Sequence, residues 1–415
     1  MPQLAHRIKL CPNQEAERYL RKASGTARFA YNWALKTWKD KYSQSEKGMS
    51  GYSLVKEFNS IKDDQFPWVR EVSKWAPQKA IQNLGDAFKR FFKKESKYPQ
   101  FKKKGKSKDS FYVGENDFKV TGKYLKLPLL KKPIKMIQSL RFKGEVKSVV
   151  ISRSVDKWFA SFSIQIPDET FVYAHACDSQ DAVGVDVGIK TLATLSTGEK
   201  IENPKPLRKA ERKIRILSKS LSKKQKGSSN RAKACLRLAK AHRKVAQIRS
   251  NVWHRITSKL VRTFRFIGIE DLNVRGILKN HKLAKSIQDA AFYEFHRQVE
   301  YKSKLSGSNI ALAGRFFPSS KTCSCCGYIY KELVLGESEW VCPSCGAVHD
   351  RDANASINLR NVALRYRETL NACGEDVRPE TKAGSPEGAG HGRGRSFMKQ
   401  ESELNLDLRT ERLLV

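Results

Sequence analysis

Hydrophobic residues recur with helical spacing over the first quarter of the chain. Residues 6–10 indicate a short strand, after which Pro12 opens a helical run with Phe29 and Trp33 near one stripe. A second apolar stretch, about 68–94, predicts another helix, which Pro77 should end or kink because proline removes a backbone donor. Residues 11–108 are therefore predicted to form a helical domain.

Strict alternation of apolar and polar residues follows. Residues 146–154 and 157–166 alternate with period two around Val155 and Asp156, which predicts a β-hairpin. We expect a β-rich domain over 109–180, with 1–10 as its first strand.

Three further segments each carry an acid inside, at the end or at the start of a predicted element. Asp186 lies in the buried-type strand 183–187, Glu270 ends the aromatic and β-branched strand 264–270, and Asp352 begins a helix-forming segment that runs to about 367. Each has a structural alternative. An aspartate in an apolar strand could be a paired buried residue, the glutamate could face water at its strand end, and Asp352 could be a helix N-cap.

A strongly basic segment separates the first two acids. Residues 205–262 hold twenty Lys and Arg and one acid, Glu211, with two apolar stripes on either side of a turn at 227–230. This pattern predicts a helical hairpin with a narrow apolar seam. A coiled-coil arm with a solvated face is the alternative, but the charge imbalance favours contact with nucleic acid through its phosphates.

The basic excess extends over the whole chain. Lys and Arg number 80 against 42 Asp and Glu, so the net charge is +38, which favours a polyanionic partner such as DNA or RNA. No apolar run is long enough for a membrane span, and the N-terminus has no signal-peptide core, so we expect a soluble, intracellular protein. The glycine-rich end, within 370–415, is predicted to be disordered.

Cysteine spacing predicts a metal site. Two Cys-x2-Cys pairs stand fifteen residues apart, each followed by glycine, a pattern typical of a structural zinc site with four thiolates: Cys323, Cys326, Cys342 and Cys345. Cys325 leaves one ligand choice open. The remaining cysteines are interpreted as plain thiols: Cys11, Cys177, Cys235 and Cys373.

The three acids predict a second, different metal site. Magnesium prefers carboxylate oxygens, and two such ions about 4 Å apart can stabilise both oxygens of a phosphodiester displacement. On a basic chain, Asp186, Glu270 and Asp352 together predict a nuclease site.

Four motifs make the chain resemble a known family. The motifs 184–190 (GVDVGIK), 268–272 (GIEDL), 319–327 (SSKTCSCCG) and 350–355 (DRDANA) closely resemble those of TnpB, an insertion-sequence-encoded family that resembles the ancestors of type V CRISPR effectors. The resemblance implies a RuvC-like nuclease domain of RNase H fold, in which Asp186, Glu270 and Asp352 bind two magnesium ions. Asp350 is the less favoured third ligand.

The resemblance also implies partners. It implies an RNA-guided endonuclease that cuts double-stranded DNA beside a short target-adjacent motif, working as a monomeric ribonucleoprotein in the prokaryotic cytoplasm, associated with the nucleoid. Guide pairing would read the target, and protein side chains would read the adjacent motif. We place nucleic-acid contacts at Tyr52, Lys74, Gln78, Lys102, Lys103 and Lys104.

The sequence therefore predicts a multidomain α+β protein. The expected order is a first wedge strand, a helical recognition domain, a β-rich wedge domain, a RuvC-like α/β nuclease domain with an inserted zinc ribbon, and a tail: 1–10, 11–108, 109–180, 181–317 with the basic hairpin 205–262, 318–348, 349–369 and 370–415. Two rival functions stay open. One is a nuclease-dead RNA-guided DNA-binding repressor, and the other is a transposase.

Overall fold

A computed structural model describes residues 3–45, 48–167, 181–334 and 336–372. These residues fall into two compact units, 3–167 and 181–372. Most of the predicted tail, together with Cys177 and Cys373, lies outside the described residues. Within the described ranges, no helix combines the length and the apolar character that a bilayer span requires.

The first unit contains a helical layer. Strand β1 precedes it, and the layer consists of α1, α2, a 3-10 helix and α3: Gln3–Cys11, Gln14–Ser45, Gly51–Gln65, Pro67–Glu71 and Trp75–Phe92. Helix α2 was not predicted from the sequence. The prediction of a helix from about 68 was wrong, because α3 begins at Trp75. Pro77 lies in its first turn, where a missing backbone donor costs no helical hydrogen bond.

The same unit contains a seven-stranded sheet. Its remaining strands are β2 to β7: Ser110–Gly114, Lys119–Thr121, Tyr124–Lys126, Ile134–Met136, Glu145–Ser154 and Lys157–Gln165. The order is β2-β6-β7-β1-β5-β4-β3, and β6 and β7 form the predicted hairpin. Strand β1 is interior, with Leu10 opposite Trp158 of β7.

The second unit contains a mixed five-stranded sheet. Its strands and helices, in chain order, are β8, β9, β10, α4, α5, β11, α6, α7, α8, β12, β13, β14 and α9: Ala182–Asp186, Thr191–Leu195, Lys200–Glu202, Pro206–Ser222, Ser229–Thr263, Phe266–Glu270, Val274–Ile277, His281–Ala290, Phe292–Ser306, Asn309–Ala313, Glu339–Val341, Val348–Asp350 and Arg351–Ala372. The order is β10-β9-β8-β11-β12, with β8, β11 and β12 parallel. This is the predicted α/β arrangement.

Helix α9 lies directly on one face of this sheet. A Cβ at Gly184 of β8 would come within 1.9 Å of the Ser356 carbonyl oxygen, and one at Gly268 of β11 within 2.0 Å of the Leu359 carbonyl oxygen. Any side chain there would push the helix away, so the two glycines set its distance from the strands. The opposite face packs against α5 and α8 through Trp253 and Phe295.

Helices α4 and α5 form the predicted basic hairpin. Asp289 of α7 fixes its base. Its carboxylate accepts hydrogen bonds from the backbone N–H groups of Leu207, at 2.9 Å, and Arg208, at 3.2 Å, and pairs with Arg249 of α5 at 3.1 Å. Because a buried carboxylate needs partners, this cluster holds three helices in one arrangement.

Candidate active site

Two of the predicted acids end neighbouring parallel strands. Strand β8 ends at Asp186 and β11 at Glu270, and the register sets Val185 beside Ile269. The carboxyl ends of parallel strands lie at the same edge of a sheet, so both acids emerge there next to each other. Both are half-buried.

The third acid comes from helix α9. Asp352 lies in its first turn. The helix runs back along the sheet, since Ser356 meets Gly184 in the middle of β8 whereas the later residue Ala363 packs with Ala182 at the start of that strand. Its N-terminus therefore lies at the edge where β8 and β11 end.

The electrostatics of Asp186 show that the three acids meet. Burial and the negative charges of Glu270 and Asp352 together raise the pKa of Asp186 to about 8, and Arg351 opposes the rise. A carboxyl group held among like charges binds a cation in place of its proton.

Asp350 has a different role from Asp352. Its Oδ1 accepts a hydrogen bond from the Ala353 backbone N–H at 2.9 Å, and its Oδ2 lies 2.7 Å from Lys200 Nζ. Burial would raise the pKa of Asp350, but Lys200 and these backbone donors lower it. Asp350 is thus the residue that caps α9, so the alternative interpretation of Asp352 as the N-cap is wrong.

The spacing of the three carboxylates bears on how they could hold metal. Among the described residues, the groups of three or more donors within 4.8 Å of one another all belong to the cysteine ribbon, so the carboxylates are spread more widely. A single magnesium ion, with oxygen ligands at about 2.1 Å, could not reach all three as they lie. More than one ion would be needed to engage all three, and Asp186, Glu270 and Asp352 are the residues that would hold them. An oxygen-only donor set fits magnesium.

The cysteine quartet is brought together as the spacing predicts. The Sγ atoms of Cys323 and Cys345 are 3.6 Å apart, as are those of Cys326 and Cys342, and all four lie within 4.8 Å of one another. Gly327 turns the backbone after the first pair with φ of +80°. The four thiols fit one structural zinc ion.

The remaining ribbon donors lie at its edge. His349 Nε2 is 3.0 Å from Cys323 Sγ, and its ring packs against Trp340, 4.7 Å between centroids. Cys323, Cys325 and His349 also lie close enough to share an ion. Cys325 is exposed, as are Cys326 and Cys345 of the quartet, whereas Cys323 and Cys342 are buried.

The predicted nucleic-acid contacts lie in the first unit. Tyr52 is 80% exposed on α2. Lys74 and Gln78 line a cavity of about 520 Å³, where Lys74 forms an ion pair with Asp117 at 3.5 Å. Lys102 is half-buried with its ammonium 3.9 Å from the Tyr31 ring centroid.

Burial and the nearby Arg28 charge lower the pKa of Lys102 to about 8, so it is a poorer phosphate ligand than the sequence suggests. Lys103 and Lys104 are exposed.

Sequence reasoning missed three residues beside the acids. Ser319 donates a hydrogen bond to Glu270, and Asn354 and Asn358 of α9 bind the segment that holds Ser319. The available signal was the pair of asparagines four residues apart on a helix face that is otherwise apolar.

Comparison with protein-family models gives three matches. A model described as "Probable transposase" matches residues 161–281, and a "Cas12f1-like, TNB domain" model matches 292–359. A "Helix-turn-helix domain" model matches 1–47, where the structure has β1 and α1.

Similar proteins and structures agree with these matches. A "Putative RNA-guided DNA endonuclease" of Streptomyces pristinaespiralis is 35% identical over 96% of both chains, and a "Putative RNA-guided DNA endonuclease InsQ" of Escherichia coli is 29% identical over 90% of this chain and 94% of its own length. A cryo-EM structure of a Cas12f1-sgRNA-target DNA complex shares the fold, with a TM-score of 0.51, 17% identity, and coverage of 84% of this chain and 83% of that one. The identity over nearly the full length of the Streptomyces relative shows that this chain belongs to the TnpB family.

Proposed function

We propose that this protein is an RNA-guided endonuclease that cuts double-stranded DNA beside a short target-adjacent motif. The observation that carries the proposal is that Asp186, Glu270 and Asp352 lie at one sheet edge, where burial and the nearby negative charges raise the pKa of Asp186 to about 8. Such a cluster is stabilised by divalent cations. The names of the full-length relatives support the same activity.

The three acids would hold two magnesium ions. When bound, these ions supply an activated water and stabilise charge on the phosphate oxygens. Asp186 lies within the field of both other acids, so the three carboxylates would hold the ions together. Lys200 and the capping role keep Asp350 out of this set.

The basic hairpin supports a nucleic-acid partner. Its exposed Lys and Arg are spread along both helices, and one acid, Glu211, lies among them, paired with Arg215 and Lys285. Such a surface binds phosphates without reading bases. We propose that a structured guide RNA and its DNA target are the partners, that one protein copy acts per complex, and that it works on DNA in the prokaryotic cytoplasm.

Cleavage assays on the wild type and on one variant separate the three functions. Asp186→Ala should retain RNA binding and lose cleavage of a matched target, because the proposed RNA surface is the basic hairpin 205–262 and Asp186 lies outside it. Glu202→Ala is the matched control, an exposed acid on β10 of the same sheet. Cleavage by Asp186→Ala would refute the site. A wild-type protein that binds target but never cuts would favour the repressor, and joined DNA products would favour the transposase.

A further inference from the structure

Three buried polar side chains lie beside the proposed metal ligands without being ligands themselves. Ser319 is 4% exposed, Asn354 1% and Asn358 5%. Burial of a polar group without a partner costs free energy, so the partners of such residues indicate what the fold uses them for.

Ser319 connects to the nuclease site directly. Its hydroxyl donates a hydrogen bond to Glu270 Oε1. A hydroxyl bonded to one carboxylate oxygen restricts rotation of that carboxylate and orients its other oxygen. Glu270 is half-buried at the end of its strand. The hydrogen bond from Ser319 therefore fixes the orientation of the Glu270 carboxylate.

The backbone around Ser319 is held by helix α9. Asn358 Nδ2 donates to the carbonyl oxygens of Ser319, at 2.8 Å, and Thr322, at 2.6 Å. Asn354 Nδ2 donates to the Thr322 carbonyl at 2.7 Å, and its Oδ1 accepts from the Ser324 backbone N–H at 2.9 Å. The two amides, one helical turn apart, thus bind the segment 319–324 along its length.

This segment joins the two metal sites. At one end Ser319 contacts Glu270, and at the other end lies Cys323, the first cysteine of the zinc ribbon, whose backbone N–H donates to the Tyr328 carbonyl at 2.8 Å. The helix that binds the segment also carries Asp352 in its first turn. The hydrogen bonds therefore set the position of Glu270 relative to Asp352.

We propose that Ser319 is a positioning residue for Glu270, and that Asn354 and Asn358 fix it in register with Asp352. The inference rests on the proposed function in that it takes Glu270 and Asp352 as ligands of the divalent ions. Loss of the hydroxyl would leave the Glu270 carboxylate free to rotate. Metal binding would then have to order the carboxylate, and the lost rotational entropy would lower the affinity for the ion.

Manganese binding to the RNA-free protein, measured by electron paramagnetic resonance, tests the proposal without a cleavage assay. Mn²⁺ takes the same oxygen ligands as Mg²⁺. We expect Ser319→Ala to weaken binding by about 10- to 100-fold, the usual effect of losing a residue that orients a ligand. Ser319→Thr keeps the hydroxyl and should restore most of the affinity. Ser320→Ala is the matched control, since no partner of the Ser320 hydroxyl occurs among the described residues.

A double-mutant cycle separates positioning from a general effect on folding. In a Glu270→Gln background, Ser319→Ala should have little further effect on Mn²⁺ affinity, because there is no carboxylate left to orient. Unchanged affinity in Ser319→Ala, or the same fold-loss in both backgrounds, would overturn the proposal. If Ser319→Ala does not fold, Ser319→Cys keeps the side-chain volume with a weak donor and should show the same loss. Asp186→Ala distinguishes failure of the metal site from failure of the positioning role. If Asp186→Ala abolishes Mn²⁺ binding while Ser319→Ala leaves it unchanged, only the positioning role of Ser319 is wrong.

Discussion

Replacement of Asp186 by asparagine should stabilise the protein when magnesium is absent. In the folded protein the pKa of Asp186 is about 8, whereas its ordinary value is 3.8. Below about pH 4 the carboxyl is protonated in both the folded and unfolded states, so it has no effect. Between pH 4 and 8 the unfolded chain ionises more readily, so the stability of the folded protein falls as pH rises. Asparagine removes this dependence.

The size of the effect follows from the two pKa values. At about 1.36 kcal/mol per pH unit, the difference sets an upper limit of about 6 kcal/mol, reached above pH 8. Water and side-chain rotation relax the penalty of a half-buried charge, so we expect about 2–4 kcal/mol at pH 8. For a unit of this size the increase in melting temperature should be roughly 5–12 °C.

Thermal unfolding as a function of pH, with zinc retained and magnesium omitted, measures the prediction. The relevant transition is the one that added Mg²⁺ raises in the wild type, and Mg²⁺ should not raise it in Asp186→Asn. Glu202→Gln makes the same chemical change at an exposed position of the same sheet and should leave the curve unaltered. An Asp186→Asn protein that melts at or below the wild-type temperature at pH 8 would show that burial and the neighbouring acids do not disfavour the ionised Asp186 carboxylate as described.

Three further predictions concern packing, zinc and charge. Gly268→Ala should destabilise the protein by about 2 kcal/mol or more and abolish cleavage, because the new Cβ would meet the Leu359 carbonyl oxygen. Gly336→Ala is the control: a Cβ there has nothing within 4 Å, so melting and cleavage should both be unchanged. Cys342→Ser should lose zinc by metal analysis and Cys325→Ser should retain it; the reverse would make Cys325 a ligand. Three exposed hairpin lysines are Lys219, Lys223 and Lys233. Their replacement by glutamine should weaken RNA binding and reduce the steepness of log affinity against log salt concentration by about 2. An unchanged slope would exclude phosphate contact by these lysines.

Local patterns in the sequence identified much of the fold and site. The hairpin of β6 and β7, the basic pair α4 and α5, and the strands that end in Asp186 and Glu270 all lie where periodicity predicts them. The start of α3 was misplaced because proline fits both a helix interruption and a helix first turn. Helix α2 was missed although a local signal exists: Ser50 caps it, and its buried residues Leu54, Val55 and Phe58 have helical spacing.

What the sequence determined by itself is the chemistry available: the three acids, the four paired cysteines and the excess of positive charge are properties of residue type and spacing. Only the tertiary structure decided which groups use that chemistry together. It assigned the capping of α9 to Asp350 and left Asp352 beside Asp186, because Lys200 and the Ala353 N–H meet one carboxylate and not the other. It also brought Ser319 to Glu270, a contact across 49 positions of the chain that no local pattern encodes.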